Sequence, residues 1–223
     1  MGVTVRPTWF HDLPLLEQAA RCAVGCWFNI EKGLCNAVQD ALDPTEVLTK
    51  KWFKYWGVVR TFSKDGDREG IRKLLFGEIP HLKAAPPNEN SWKLVEELSA
   101  KIRGMNRDKC PTSLVSKFAF SCCPTTFVPY DSLVHGQLGT REHKYVEYMH
   151  NFSERKKSID QQLREFKLDG QVGLSARNLP LKNETIMDQP LFLTRITDWY
   201  LLLRSKDYDP IKRGDPVHCD PMI

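Results

Sequence analysis

Ser113-Leu114-Val115-Ser116-Lys117-Phe118-Ala119-Phe120-Ser121-Cys122-Cys123-Pro124-Thr125-Thr126-Phe127-Val128-Pro129-Tyr130-Asp131-Ser132-Leu133-Val134 is the stretch on which the fold turns. Thr112 to Cys123 is apolar and helix-compatible, with Lys117 expected in the first turn. Pro124 and Pro129 bracket a short connection, because proline cannot continue a helix and biases the residue before it toward extended backbone. Asp131 then stands where a carboxylate accepts from the first N–H groups of a new helix. Gly136 and Gly139 end or interrupt that helix.

Outward from this stretch the chain reads as more helix. Toward the C-terminus, Glu142 to Leu168 is strongly helical in pattern and largely solvated, and Asp169 to Asn183 reads as a loop. Leu191 to Leu203 is a closing helix with Leu191, Phe192, Ile196, Trp199, Tyr200 and Leu203 as its apolar set. The tail from 207 to 223, with three prolines, is expected to be extended. Toward the N-terminus, Ser91 is the expected cap of a helix running through Ile102. Pro80 to Asn90, with Pro86-Pro87, reads as a linker and places a lobe boundary near 80–90. Arg72 to Phe76 is a short helix and Ser63 to Gly70 a loop. Asp43 and Glu46 form a capping-box pattern for a helix reaching Trp56. Leu13 to Val47 carries Leu15, Leu16, Ala19, Ala23, Cys26 and Trp27 on one stripe, with Asp12 as cap and Gly33 as the break between two helices. Strand signals are weak and confined to Gly57–Phe62 and Gln171–Leu174. The expected fold is mostly α, one 1–223 domain made of two helical lobes.

A chain of 223 residues can bury a core without crosslinks or metals. No run of eighteen apolar residues offers a membrane span, and Met1 to Phe10 lacks the pattern of a secretory signal. The expectation is a cytoplasmic protein, likewise a monomer. Seven cysteines in such a chain are expected to be reduced thiols. Cys22, Cys26 and Cys35 lack a CxxC pair, so no metal and no other cofactor is expected. The net charge of +4 excludes little, but its distribution is uneven. Residues 51–120 hold 14 Lys+Arg against 8 Asp+Glu, whereas 1–50 hold 4 against 6 and 121–223 hold 14 against 14. The middle third is therefore the candidate anion-facing surface.

Lys117, the proline-bracketed Phe-Val-Pro connection and Asp131 resemble the helix-hairpin-helix DNA glycosylase superfamily, and within it the 8-oxoguanine-glycosylase-like branch. Ser116-Lys117, Pro124 and Phe127-Val128-Pro129-Tyr130-Asp131-Ser132 also resemble small bacterial members, which include anti-phage glycosylases that remove bulky modified cytosines. The resemblance implies a helix-hairpin-helix with the active site in the cleft between two lobes. It further implies double-stranded DNA as partner, with Lys117 and Asp131 as catalytic residues. Such an enzyme excises a flipped base and leaves an abasic site. Cleaving an N-glycosidic bond leaves positive charge on the sugar, which a fixed carboxylate stabilises. Lys117 would serve as nucleophile, with lyase activity following, or as electrostatic partner. Ser113, Leu114, Val115 and Ser116 stand where the family hairpin usually has glycines. The interval from Lys117 to Asp131 is also shorter than in eukaryotic members by about a helical turn.

Other residues fit a DNA enzyme. Arg103, Arg107 and Lys109, together with Ser113, Ser116 and His135, are the candidate DNA contacts. Trp52, Tyr55 and Trp56, interleaved with lysines, are candidate base-pocket rings, although their i, i+3, i+4 spacing equally fits a core face. Arg195 and Asp198 are expected to form a supporting ion pair. Two rival readings share these residues: a non-catalytic DNA-binding protein that uses the hairpin as a phosphate clamp, and a helical protein-binding adaptor.

Overall fold

The computed structural model describes residues 14–40, 50–58, 61–62, 66–106, 111–165, 190–205 and 208. Among these residues the regular structure is helical and no strand occurs, as the sequence pattern predicts. The helices are α1 (Leu15–Cys26), α2 (Lys32–Asp40), α3 (Lys50–Tyr55), α4 (Arg68–Gly77) and α5 (Ile79–Lys83). They continue as α6 (Glu89–Met105), α7 (Thr112–Cys122), α8 (Ser132–Leu138), α9 (Tyr145–Glu165) and α10 (Pro190–Arg204). No described helix is long and apolar enough to cross a membrane. The expected caps Asp12, Asp43 and Glu46, the strand signal at 171–174 and most of the 207–223 tail lie outside the described residues.

The chain divides into two compact units, Met1–Ile30 with Asn151–Ile223, and Glu31–His150. The boundary expected near 80–90 falls inside the second unit. Pro80 to Lys83 is helical rather than a linker, because proline is tolerated in a first helical turn. Hydrogen bonds then hold this region in place. Lys83 Nζ donates to the carbonyl of Gln39, and Thr126 Oγ1 donates to the carbonyl of Ala85.

In the first unit α1 packs on α10. Ala19, Ala20 and Ala23 are fully buried, and side chains this small let the two backbones approach closely. Phe192 stacks on Phe28 and meets the edge of Trp27. Gly33 does not break the helix. A π-turn, Trp27–Glu31, carries the chain directly into α2. The wider turn re-phases the buried stripe, which pauses after Cys26 and Trp27 and resumes at Leu34, Cys35 and Val38.

The second unit is built around α7, which packs against α2, α5 and α6. All of its residues are buried except Ser113, as expected for a helix apolar on every face. Phe118 and Phe120 take the edges of Trp52 and Trp56 from α3. Each such buried ring contributes about 2–3 kcal/mol from area alone. Two helix starts differ from the sequence expectation. The side chain of Asp67 accepts from Gly70 N at 2.8 Å, so α4 begins at Arg68. Asn88, three residues before Ser91, accepts from Ser91 N and is the cap of α6.

Gly57 is not a strand start. With φ at +63° it is the left-handed residue that ends α3, its N–H donating to Lys54 O while Val58 N donates to Phe53 O. Cys22, Cys35, Cys122 and Cys123 are free thiols, and burial pushes the Cys122 thiol well above its ordinary value. Cys26, against the expectation of reduced thiols throughout, is disulfide-bonded.

The two glycines give opposite expectations. A Cβ at either meets nothing within 4 Å, so backbone conformation alone decides the sign. Gly33→Ala should raise stability by about 0.5–1 kcal/mol, since alanine is the better helix residue. Gly57→Ala should lower it by about 1 kcal/mol through the left-handed φ. Urea unfolding midpoints of the two variants check both signs.

Candidate functional site

Lys117 and Asp131, fourteen residues apart in sequence, meet in the second unit. Lys117 is the sixth residue of α7 and not a first-turn residue, because the helix already begins at Thr112. Its position within a buried helix takes the amine out of water, leaving the side chain 9% exposed. A buried ammonium needs partners, and the described residues include two. Its Nζ donates to the carbonyl of Trp56 at 2.8 Å and lies 3.8 Å from Asp131 Oδ2. The Trp56 carbonyl lies just past the end of α3, where the Gly57 turn engages the carbonyls of Phe53 and Lys54 but not that of Trp56.

Asp131 is the cap of α8, with extended φ and ψ of −124° and 139°, and its Oδ1 accepts from Leu133 N at 2.9 Å. The two carboxylate oxygens therefore face different partners. Oδ1 holds the helix start and Oδ2 faces the lysine.

What brings Asp131 to this point is the segment Phe127–Tyr130, which is buried yet has no strand neighbour. Apart from the turn bond of Phe127 N to Cys123 O, the described bonds to its backbone come from side chains. The Tyr145 hydroxyl accepts from Val128 N at 3.0 Å and donates to Val128 O at 2.8 Å. The Tyr148 hydroxyl donates to Pro129 O at 3.0 Å. Tyr130 N donates to Ser116 Oγ at 2.9 Å. The Tyr130 ring stacks on His135 at 10° between planes, and its hydroxyl accepts from His143 N. His143 has a positive φ of 65°, uncommon for a non-glycine residue.

The remaining expected site residues separate into groups. Ser113 to Ser116 form the first turns of α7, so no hairpin turn lies there. Ser116 is fully buried with its hydroxyl bonded to Tyr130 N and Ser113 O, which corrects its expected role as a phosphate contact. Ser113 is partly exposed, and its carbonyl accepts from Ser116. His135 is partly exposed, with Nδ1 3.3 Å from Thr140 O. Arg103 is exposed near the end of α6. Arg107 and Lys109 lie outside the described residues.

Trp52 is a core ring and not a base-pocket wall, being fully buried with its Nε1 donating to Ser121 Oγ. Trp56 is buried beside it, ring edges against Tyr55 and Phe120. Tyr55 is half-buried, and its hydroxyl donates to Glu31 at 2.7 Å. Arg195 and Asp198 do form a buried ion pair, in the first unit. On the same helix Thr194 accepts from Lys156 Nζ, whose partial burial holds that amine below the ordinary lysine range. Among the described residues no group of three or more His, Cys, Asp or Glu side chains could hold a metal ion.

Comparison with family models, with curated proteins and with solved structures found no match.

The residues that sequence reasoning missed are those that position the pair: Ser116 in this role, Tyr130, Tyr145, Tyr148 and His143. Their one sequence signal is the Tyr-Val-Glu-Tyr start of α9, whose two tyrosines share a helix face at i, i+3.

Removal of either member of the pair should register in stability. Lys117→Met keeps the methylenes but leaves Asp131 and the Trp56 carbonyl without the amine, and should cost about 3 kcal/mol. Asp131→Asn keeps a capping oxygen but leaves the buried amine without its counter-charge, and should cost about 3 kcal/mol. Chemical denaturation in the absence of DNA measures both.

Proposed function

We propose that this chain is a DNA glycosylase, removing a modified base from double-stranded DNA to leave an abasic site. The observation that carries the reading is the 3.8 Å approach of Lys117 Nζ to Asp131 Oδ2, the two residues that the resemblance singles out. In the reaction Asp131 faces the sugar as its bond to the base breaks. Its negative charge, already oriented, stabilises the cation that develops there. Lys117 acts as the electrostatic partner rather than the nucleophile, since its amine is engaged by the Trp56 carbonyl and buried with the carboxylate. The leaning toward a bulky modified cytosine over oxidised guanine rests on the resemblance to the small bacterial members. The basic middle third is the proposed face for the duplex, as a monomer in the cytoplasm.

A second reading is favoured by the same geometry. Asp131 caps α8 and Lys117 closes α3, so both side chains also have purely structural work. The phosphate-clamp version of a non-catalytic DNA-binding protein loses support, because Ser113 to Ser116 are helical.

Asp131→Asn separates the two. Asparagine caps a helix as well as aspartate does but carries no charge. Incubation with duplexes containing glucosylated hydroxymethylcytosine or 8-oxoguanine, scored for abasic sites, should show loss of at least about a hundred-fold in Asp131→Asn, whose circular dichroism stays native. Full activity in that variant would sink the mechanism. Borohydride should trap no adduct on Lys117, and a trapped adduct would make that lysine the nucleophile.

A further inference from the structure

Ser116 directly precedes Lys117, and Tyr130 directly precedes Asp131. One hydrogen bond, Tyr130 N to Ser116 Oγ at 2.9 Å, joins these neighbours across the second unit. Both residues are buried, Ser116 completely. Serine is a poor choice for the interior of a buried helix, where alanine has the better propensity and a hydroxyl must find partners. Here the hydroxyl has two. It donates to Ser113 O one turn back at 3.2 Å, which fixes its rotamer, and accepts from Tyr130. The side-chain bonds from Tyr145 and Tyr148 originate on α9, Phe127 N bonds back to Cys123 O at the end of α7, and the Tyr130 hydroxyl accepts from His143 N. Of the side chains that bond this backbone, only the serine belongs to the helix that bears Lys117. A shift of Tyr130 N away from α7 moves Asp131, the next residue, with it.

Resting on the glycosylase reading, we propose that Ser116 is a positioning residue, its hydroxyl setting the separation between Lys117 and Asp131. Without it the extended segment keeps its anchors to α9 and its bond to Cys123 at the end of α7, but loses its tie to the turn of α7 that bears Lys117. The carboxylate then sits at a distance from the amine that the Ser116 hydroxyl no longer fixes. Misplacement of about an ångström at a reacting centre costs on the order of a hundred-fold in rate.

Two arms test this. In the first, base release from a duplex carrying glucosylated hydroxymethylcytosine or 8-oxoguanine is followed in the native protein, Ser116→Ala and Ser116→Thr. Ser116→Ala should lose about ten-fold or more in kcat with KM within about two-fold, and Ser116→Thr, which restores the hydroxyl, should recover most of it. The second arm needs no turnover. Lys117→Met and Asp131→Asn are combined in a double-mutant cycle read as melting temperature. Their effects should depart from additivity by about 3 °C with Ser116 in place and become additive in Ser116→Ala. If Ser116→Ala does not fold, Ser116→Cys takes its place in the cycle, its weak acceptor predicting a coupling at least halved. A native protein that releases neither base removes the glycosylase reading, while the cycle still decides the role of Ser116. Unchanged coupling after loss of the hydroxyl overturns the proposal, whatever the activity.

Discussion

A main chain that crosses a protein interior in extended form, without a strand beside it, must find its hydrogen bonds in side chains. Phe127 to Tyr130 is such a segment, and the rest of the second unit is arranged around that need. Tyr145 offers one hydroxyl to both the N–H and the carbonyl of Val128, Tyr148 bonds Pro129 O, and Ser116 accepts from Tyr130 N. Pro129 has no N–H to satisfy, which lowers the demand by one donor. The segment is thereby fixed to α9 on one side and to α7 on the other. The residue that follows it, Asp131, inherits a defined position before its own cap bond is counted.

The second constraint is the charge on α7. A helix buried on nearly every face carries one ammonium, and removing that group from water costs several kcal/mol unless it is paired. The fold meets this with the end of α3 and the start of α8. Gly57 turns the chain so that the Trp56 carbonyl, outside both bonds of the turn, receives the amine. Asp131 supplies the opposite charge within ion-pair range. The aromatic cluster of Trp52, Phe53, Trp56, Phe118 and Phe120 belongs to the same arrangement, because it holds α3 against α7 and so keeps the carbonyl within reach.

Much of this was legible in the sequence, and the divisions follow range. Helix existence at α1, α6, α7 and α10 came from apolar periodicity, a local signal. The Asp131 cap came from its place after the Pro-Tyr turn. The pair itself was legible only through resemblance, since nothing in local pattern says that Lys117 and Asp131 approach. Caps chosen by residue type slipped by a few positions: Ser91 matches the preference, but Asn88 lies nearer the turn and starts the helix first. Pro80 and the double proline at 86–87 looked like a linker because composition reports turns and not what packs against them. The aromatics at 52, 55 and 56 carried both a pocket and a core reading at one spacing. Tertiary burial decided for the core at Trp52. A serine before a family lysine suggests the hairpin and so a phosphate contact at Ser116, whereas its burial depends on where α7 begins.

Asp131 illustrates why a bland role and a chemical one need not compete. Its two oxygens point to different neighbours, Oδ1 to the Leu133 N–H and Oδ2 toward Lys117. A cap bond restricts the carboxylate plane, and a segment locked by three hydroxyls restricts the backbone beneath it. Electrostatic stabilisation of a developing sugar cation depends on charge that need not reorient as the bond breaks. On the proposed reading the structural bonds of Asp131 are therefore part of its chemistry, since each removes a motion the carboxylate would otherwise have to lose in the transition state. On the same proposed reading, the Ser116 hydroxyl on the neighbouring helix belongs to the site through the backbone it holds.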